Sequence, residues 1–182
     1  MRDNVSVLIL TIEQSRYLPD GLVVLSLNQE KAYDRGTWFW LFETMQAIGF
    51  SENFIRATKF MYQAPAVQFL LNNQITHPIL HHYGILQDGP LSVLLYILAI
   101  LPLLNALNNE DLMTTMEFQN DNTNIVTMAY TEDILVIATS LKAYYKLHKI
   151  LKQFCKIRNA HFSEFKTTAI YSPTFSTETE QP

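Results

Sequence analysis

Apolar positions recur along this chain at two different intervals, and the switches between them divide it into elements. Residues 4 to 15 carry Val5, Leu8, Ile9 and Ile12 at helical spacing, and Tyr17-Leu18-Pro19-Asp20-Gly21 stops that helix. Leu22 to Leu27 is a short apolar run bounded by turn residues, as in a strand buried on both faces. Helical spacing returns with Trp38, Leu41, Phe42 and Met45 up to Gly49, and Ser51 caps a further helix carrying Phe54, Ala57 and Met61. Val67 to Leu71 and Ile75 to Leu80 flank Asn72-Asn73, which tolerate left-handed backbone and suit a hairpin turn.

A helix starts at Ser92. Its most hydrophobic run, Val93 to Leu104, reads as buried, being shorter than the roughly 20 residues that span a membrane. Ile125 to Ala129 and Ile134 to Ala138 form a tight hairpin around Tyr130-Thr131-Glu132-Asp133, with two acids at its tip. Ser140 to Asn159 reads as a helix and Thr168 to Tyr171 as a strand. Helices mixed with an antiparallel sheet make an α+β layout. The expectation is one domain over residues 1–171 and a disordered polar tail over 172–182, with Trp38, Phe42 and Phe60 in the core.

Composition narrows the function classes. A chain of 182 residues, 48% apolar and 16% charged, can bury a real core, which excludes collagen-like, disulfide-framed and wholly disordered proteins. Seventeen acids against thirteen Lys and Arg give a net charge of -4, so any contact with nucleic acid must come from a local cluster. The one basic stripe is Lys142, Lys146, Lys149, Lys152 and Lys156, opposite Leu147, Leu151 and Phe154. It reads either as the solvated face of an amphipathic helix or as a nucleic-acid backbone contact.

The single Cys155 cannot close an intrachain disulfide and suits a reducing, intracellular compartment, nuclear or cytoplasmic; the opening residues lack the pattern of an export signal. His77, His81 and His82 are scattered by Pro78 and extended backbone, and read as hairpin surface. No nucleophile elbow, P-loop or Gly-x-Gly-x-x-Gly is present, so hydrolase and dinucleotide-binding classes lack their parts.

Metal-dependent phosphoryl transfer needs carboxylates from separate elements around two magnesium ions about 3.5 to 4 Å apart. The exit of the first strand, Asn28 to Asp34, and Glu132-Asp133 are the places that could supply them. An acid pair in a turn is ordinary turn chemistry when taken alone. The surrounding residues change that reading. Leu25-Ser26-Leu27-Asn28-Gln29-Glu30-Lys31-Ala32-Tyr33-Asp34-Arg35, Gly84-Ile85-Leu86-Gln87-Asp88-Gly89-Pro90-Leu91-Ser92 and Ala129-Tyr130-Thr131-Glu132-Asp133 stand in an order and spacing that resemble one family. It is the reverse transcriptases of LINE-type, non-LTR retrotransposons, and within them those of fungal elements, with the likeness running from about Arg2 to Ile170. The resemblance implies a polymerase palm with part of the fingers, RNA-directed DNA synthesis with two Mg2+, and an RNA template, a DNA primer and dNTP as partners, with no membrane.

Residue by residue, the resemblance also implies damage. The family's first motif opens on an Asp that binds both metals, where this chain has Asn28. Its hairpin carries two Asp, where this chain has Glu132 and Asp133, so the implied catalytic and metal positions are Asn28, Glu132 and Asp133. An amide offers magnesium one carbonyl oxygen and no charge, and a Glu displaces its carboxylate within a geometry that magnesium wants nearly octahedral. The implied nucleotide-binding residues are Tyr33, against the incoming sugar, Gln87, and Lys166 near the triphosphate. Asp88 replaces a Gly where backbone approaches the ligand, and Tyr83 and Leu86 stand where Arg is usual. The expected outcome is a weak or inactive polymerase. The alternatives are a non-catalytic module binding RNA or protein through Lys142, Lys146, Lys149 and Lys156, or a membrane-associated protein anchored through Val93 to Leu104.

Overall fold

The structure is a computed structural model that describes residues 2–14, 16, 21–87, 89–109, 127–130, 132–163 and 165–172. The readings on Tyr17 to Asp20, Asp88, Ile125, Val126 and Thr131, and on the tail beyond Ser172, lie outside these residues. The chain forms two compact units, Met1–Glu30 with Leu103–Pro182, and Lys31–Pro102.

The first unit is built on an antiparallel sheet. β1 (Val23–Asn28) lies between β7 (Asp133–Ala138) and β8 (Thr168–Tyr171), and β6 (Thr127–Tyr130) pairs with the outer side of β7. The central position of β1 explains its composition: Val23, Val24, Leu25 and Leu27 are all buried. Register runs from Val23 opposite Ala138 to Asn28 opposite Asp133 on one side, and from Val23 opposite Tyr171 to Ser26 opposite Thr168 on the other. α5 (Leu141–Arg158) starts where the Ser140 hydroxyl accepts from the Ala143 N–H, and ends at Asn159 in the left-handed region. Leu147, Leu151 and Phe154 are its buried row, as predicted.

α1 (Arg2–Gln14) departs from expectation: Ile9 and Ile12 are exposed and Thr11 is buried. With Leu8, Ile9, Leu10 and Ile12 spread around the helix, periodicity picks out no single face.

The second unit contains α2 (Trp38–Ile48), α3 (Glu52–Met61) and a hairpin. Gly49 closes α2 with a φ of 96°, its N–H bonded to Gln46 O while Phe50 N–H reaches Met45 O. In the hairpin, β2 (Ala66–Val67) pairs with β5 (Ile79–Leu80) and β3 (Leu70–Leu71) with β4 (Gln74–Ile75), around Asn72 and Asn73 at φ of 49° and 61°. Ser51 caps α3 as predicted, yet its buried residues are Ile55 and Thr58. Phe54, Ala57, Met61 and Phe60 are exposed, Phe60 by 75%, which overturns its placing in the core. The helical period was right and its phase was off by one residue, about 100° around the axis.

α4 (Ser92–Asn108) continues through Pro102 and beyond Leu104. Leu95, Tyr96, Ala99 and Ile100 are buried while Val93, Leu94 and Ile97 are exposed, so the predicted buried helix is buried along one side only. Among the described residues no helix is long and apolar enough to cross a membrane.

Candidate active site

The antiparallel register places the last residue of β1 directly opposite the first residue of β7, so the Asn28 and Asp133 side chains stand on the same face of the sheet. They touch: Asn28 Nδ2 donates to Asp133 Oδ1 at 3.0 Å across 105 residues of sequence. Tyr130 also pairs with Asp133, and Glu132, the residue before it in the chain, stands beside the Asn28–Asp133 pair. The Gln29 N–H donates to Glu132 O at 3.3 Å, extending the ladder one step into the turn.

The strand exit is clamped from its other side as well. The Ser163 N–H donates to Asn28 O at 2.9 Å, the Glu30 N–H to His161 O at 2.8 Å, and Gln29 bridges Phe162. Backbone on both flanks therefore fixes Asn28, while Asp133 is exposed and Glu132 half-buried.

The donor set decides what this corner can hold. An amide presenting its NH2 to a carboxylate brings no negative charge to a cation, and it takes up part of the acceptor capacity of Asp133. Glu132 and Asp133 are the remaining anions, and among the described residues no group of three His, Cys, Asp or Glu is placed to hold a metal ion. These residues do not fit a pair of magnesium ions.

In the second unit, Tyr33 and Gln87 each have a partner that the sequence did not reveal. The Tyr33 ring stacks on Tyr96 with centroids 4.6 Å apart and planes at 22°. Gln87 Nε2 donates to Asp34 Oδ1 at 3.2 Å. The loops carrying them are laced together: Ile85 N–H to Tyr33 O and Gly84 N–H to Gly36 O, both 2.7 Å, and Trp38 Nε1–H to Gly84 O, also 2.7 Å. Gly84 is required here, because its φ is 93° and a Cβ would meet Asp34 O at 2.9 Å. Tyr62, buried beneath Trp38 with ring centroids 5.5 Å apart, has its phenol pKa pushed up by burial, opposed by a backbone hydrogen bond with Leu86. Asp34, Tyr96 and Trp38 were missed as supporting residues. The only available signal was that Asp34 shares the first motif with Tyr33.

Lys166 is exposed in the turn before β8. The lysine stripe splits: Lys152 and Lys156 line a cavity beside α5, and Lys142, Lys146 and Lys149 are not among the residues lining it. His77, His81 and His82 are exposed on and beyond the hairpin, as expected.

Residues 4–180 match the family described as reverse transcriptase (RNA-dependent DNA polymerase). The "Transposon TX1 uncharacterized 149 kDa protein" of Xenopus laevis is 35% identical over 121 residues, covering 66% of this chain and 9% of that protein. The chain thus spans a small part of that relative. Apo telomerase from Candida tropicalis, truncated from its C-terminal domain, matches with a TM-score of 0.69 at 15% identity, over 95% of this chain and 36% of the telomerase. Telomerase of the same species in complex with a TWJ fragment of telomeric RNA matches with a TM-score of 0.65 at 12% identity, over 94% of this chain and 29% of that one. At such identity the likeness speaks for the fold, and the α+β, palm-type architecture expected from the motifs is the one observed.

Proposed function

This chain belongs to the reverse transcriptase (RNA-dependent DNA polymerase) family, and from that premise we propose that it is a palm with part of the fingers in which nucleotidyl transfer is weak or absent. The observation that carries this reading is the hydrogen bond from Asn28 to Asp133, an amide engaging the one Asp kept at the metal positions. Replacing one of three carboxylates and lengthening another removes several kcal/mol of transition-state stabilisation, roughly a thousandfold or more in turnover.

The nucleotide-binding parts are better preserved. Tyr33, backed by Tyr96, is the ring that faces the incoming sugar, Gln87 is held by Asp34, and Lys166 serves the triphosphate. A nucleic-acid template is the natural partner, supported by the family match and by a fold neighbour solved with RNA. The exposed Lys142 and Lys149, with Lys146, form the face through which such a module would grip a phosphate backbone, while Lys156 of the same stripe lines the cavity beside α5.

Primer extension on a homopolymer RNA template, with Mg2+ or Mn2+, tests the reading. Incorporation is expected at background, and the N28D/E132D variant is expected to bind Mn2+ at least about tenfold more tightly than the natural chain. Incorporation by the natural chain that disappears in D133A would overturn it.

A further inference from the structure

The unit built on the four-stranded sheet contains a cavity of about 810 Å3 that the polymerase reading does not use. Leu25 and Leu27 of β1, Ala169 of β8, Leu151 of α5 and Phe162 give it an apolar lining. α5 adds a row at i, i+4 spacing, Tyr144, His148, Lys152 and Lys156, with the Tyr144 hydroxyl 3.2 Å from His148 Nε2. His161, from the segment after α5, is a further basic group. None of the described lining residues is acidic, although acids outnumber Lys and Arg in the chain. The Thr167 hydroxyl, buried without a hydrogen-bond partner, belongs to the same wall.

An apolar surface flanked by two lysines and two histidines selects for charge and for hydrophobic bulk together. The volume lies within the roughly 300 to 1,000 Å3 typical of small-molecule sites. We propose that this cavity binds a small amphipathic anion, with a flat apolar body against Leu27 and Phe162 and a carboxylate, sulfonate or phosphate head at Lys152 and Lys156. Longer-range attraction to Lys142 or Lys149 is not needed, since neither lines the cavity.

The probe is 8-anilinonaphthalene-1-sulfonate, an aromatic anion whose fluorescence rises on leaving water. The natural chain is expected to bind it at one site. K152Q/K156Q weakens that binding at least about tenfold, and K142Q/K149Q leaves it unchanged. A169W, which fills the cavity from the exposed edge of β8, abolishes it. Cys155 lines the same cavity and is the chain's single cysteine, so its alkylation by iodoacetamide reports occupancy independently of fluorescence. At a dye concentration about four times its Kd, alkylation slows roughly fivefold. Unchanged alkylation, or full-strength binding in A169W, places the dye elsewhere and overturns the proposal. So does neutral N-phenyl-1-naphthylamine binding as tightly as the sulfonate. Circular dichroism identifies a variant that has failed to fold, and in that case Cys155 protection and the lysine variants decide.

Discussion

Replacing a carboxylate by an amide at position 28 exchanges one charged oxygen for an NH2, and that exchange turns an electrostatic liability into a hydrogen bond. Two carboxylates directly opposite in an antiparallel pair repel unless a cation lies between them. With Asn28 the pair is instead joined at 3.0 Å, and no ion is needed to stabilise the corner. N28D is therefore expected to lower stability by about 1 to 2 kcal/mol in chelator, through a lost hydrogen bond and a new like-charge pair. Millimolar Mg2+ should restore part of that loss in N28D and leave the natural chain unaffected, which urea denaturation with and without the metal will measure. An equal response of both proteins to Mg2+ would mean that the natural corner already takes a cation. The pairing itself was legible in the sequence, because each residue ends an apolar strand inside a recognisable motif. The supports of Tyr33 and Gln87 were not legible. Tyr96 projects from a helix whose apolar run hides any special role, and Asp34 meets Gln87 only because distant loops are laced together.

Elements were legible where a local signal fixes a boundary and ambiguous where only the period was available. Ser51 caps its helix as expected, the helix read from Ser140 onward is capped by the Ser140 hydroxyl, Asn72 and Asn73 take the left-handed turn, and β8 has the predicted ends. In α3, by contrast, the row of Phe54, Ala57 and Met61 is as regular as the row of Ile55, Thr58 and Tyr62, and the second is the one buried. What selects it is a tertiary partner: Tyr62 packs on Trp38, a contact that periodicity does not encode. Phe42 is half-buried, and the Lys59 ammonium lies 5.3 Å from its ring centroid. Capping geometry also differs between the two helices. The Ser140 hydroxyl accepts from Ala143 N–H at 3.1 Å in a part-buried position, and Ser51 accepts from Phe54 N–H at 3.4 Å in an exposed one. S140A is expected to cost about 1 kcal/mol and S51A distinctly less. S140T should retain most of the natural stability, and urea midpoints of the three variants provide the check.

At the scale of the whole molecule, charge and fold pull in different directions. A net charge of -4 repels a polyanion, so an RNA-binding palm of this composition must rely on a local field at an exposed lysine face. Binding to single-stranded RNA releases counterions with a slope near -0.7 per phosphate neutralised. If Lys142, Lys146 and Lys149 each neutralise one phosphate, log K against log salt should fall with a slope of about -2. Affinity for a homopolymer RNA would then drop by roughly fifteen- to twentyfold between 50 and 200 mM salt. K142Q/K146Q/K149Q should flatten that slope to near zero at unchanged helix content, because these side chains project from a helix held by Leu147, Leu151 and Phe154 on its other side. Fluorescence anisotropy across a salt series reads the slope directly. A slope that survives the triple substitution makes the stripe a solvated face and moves the RNA contact to another surface of the chain.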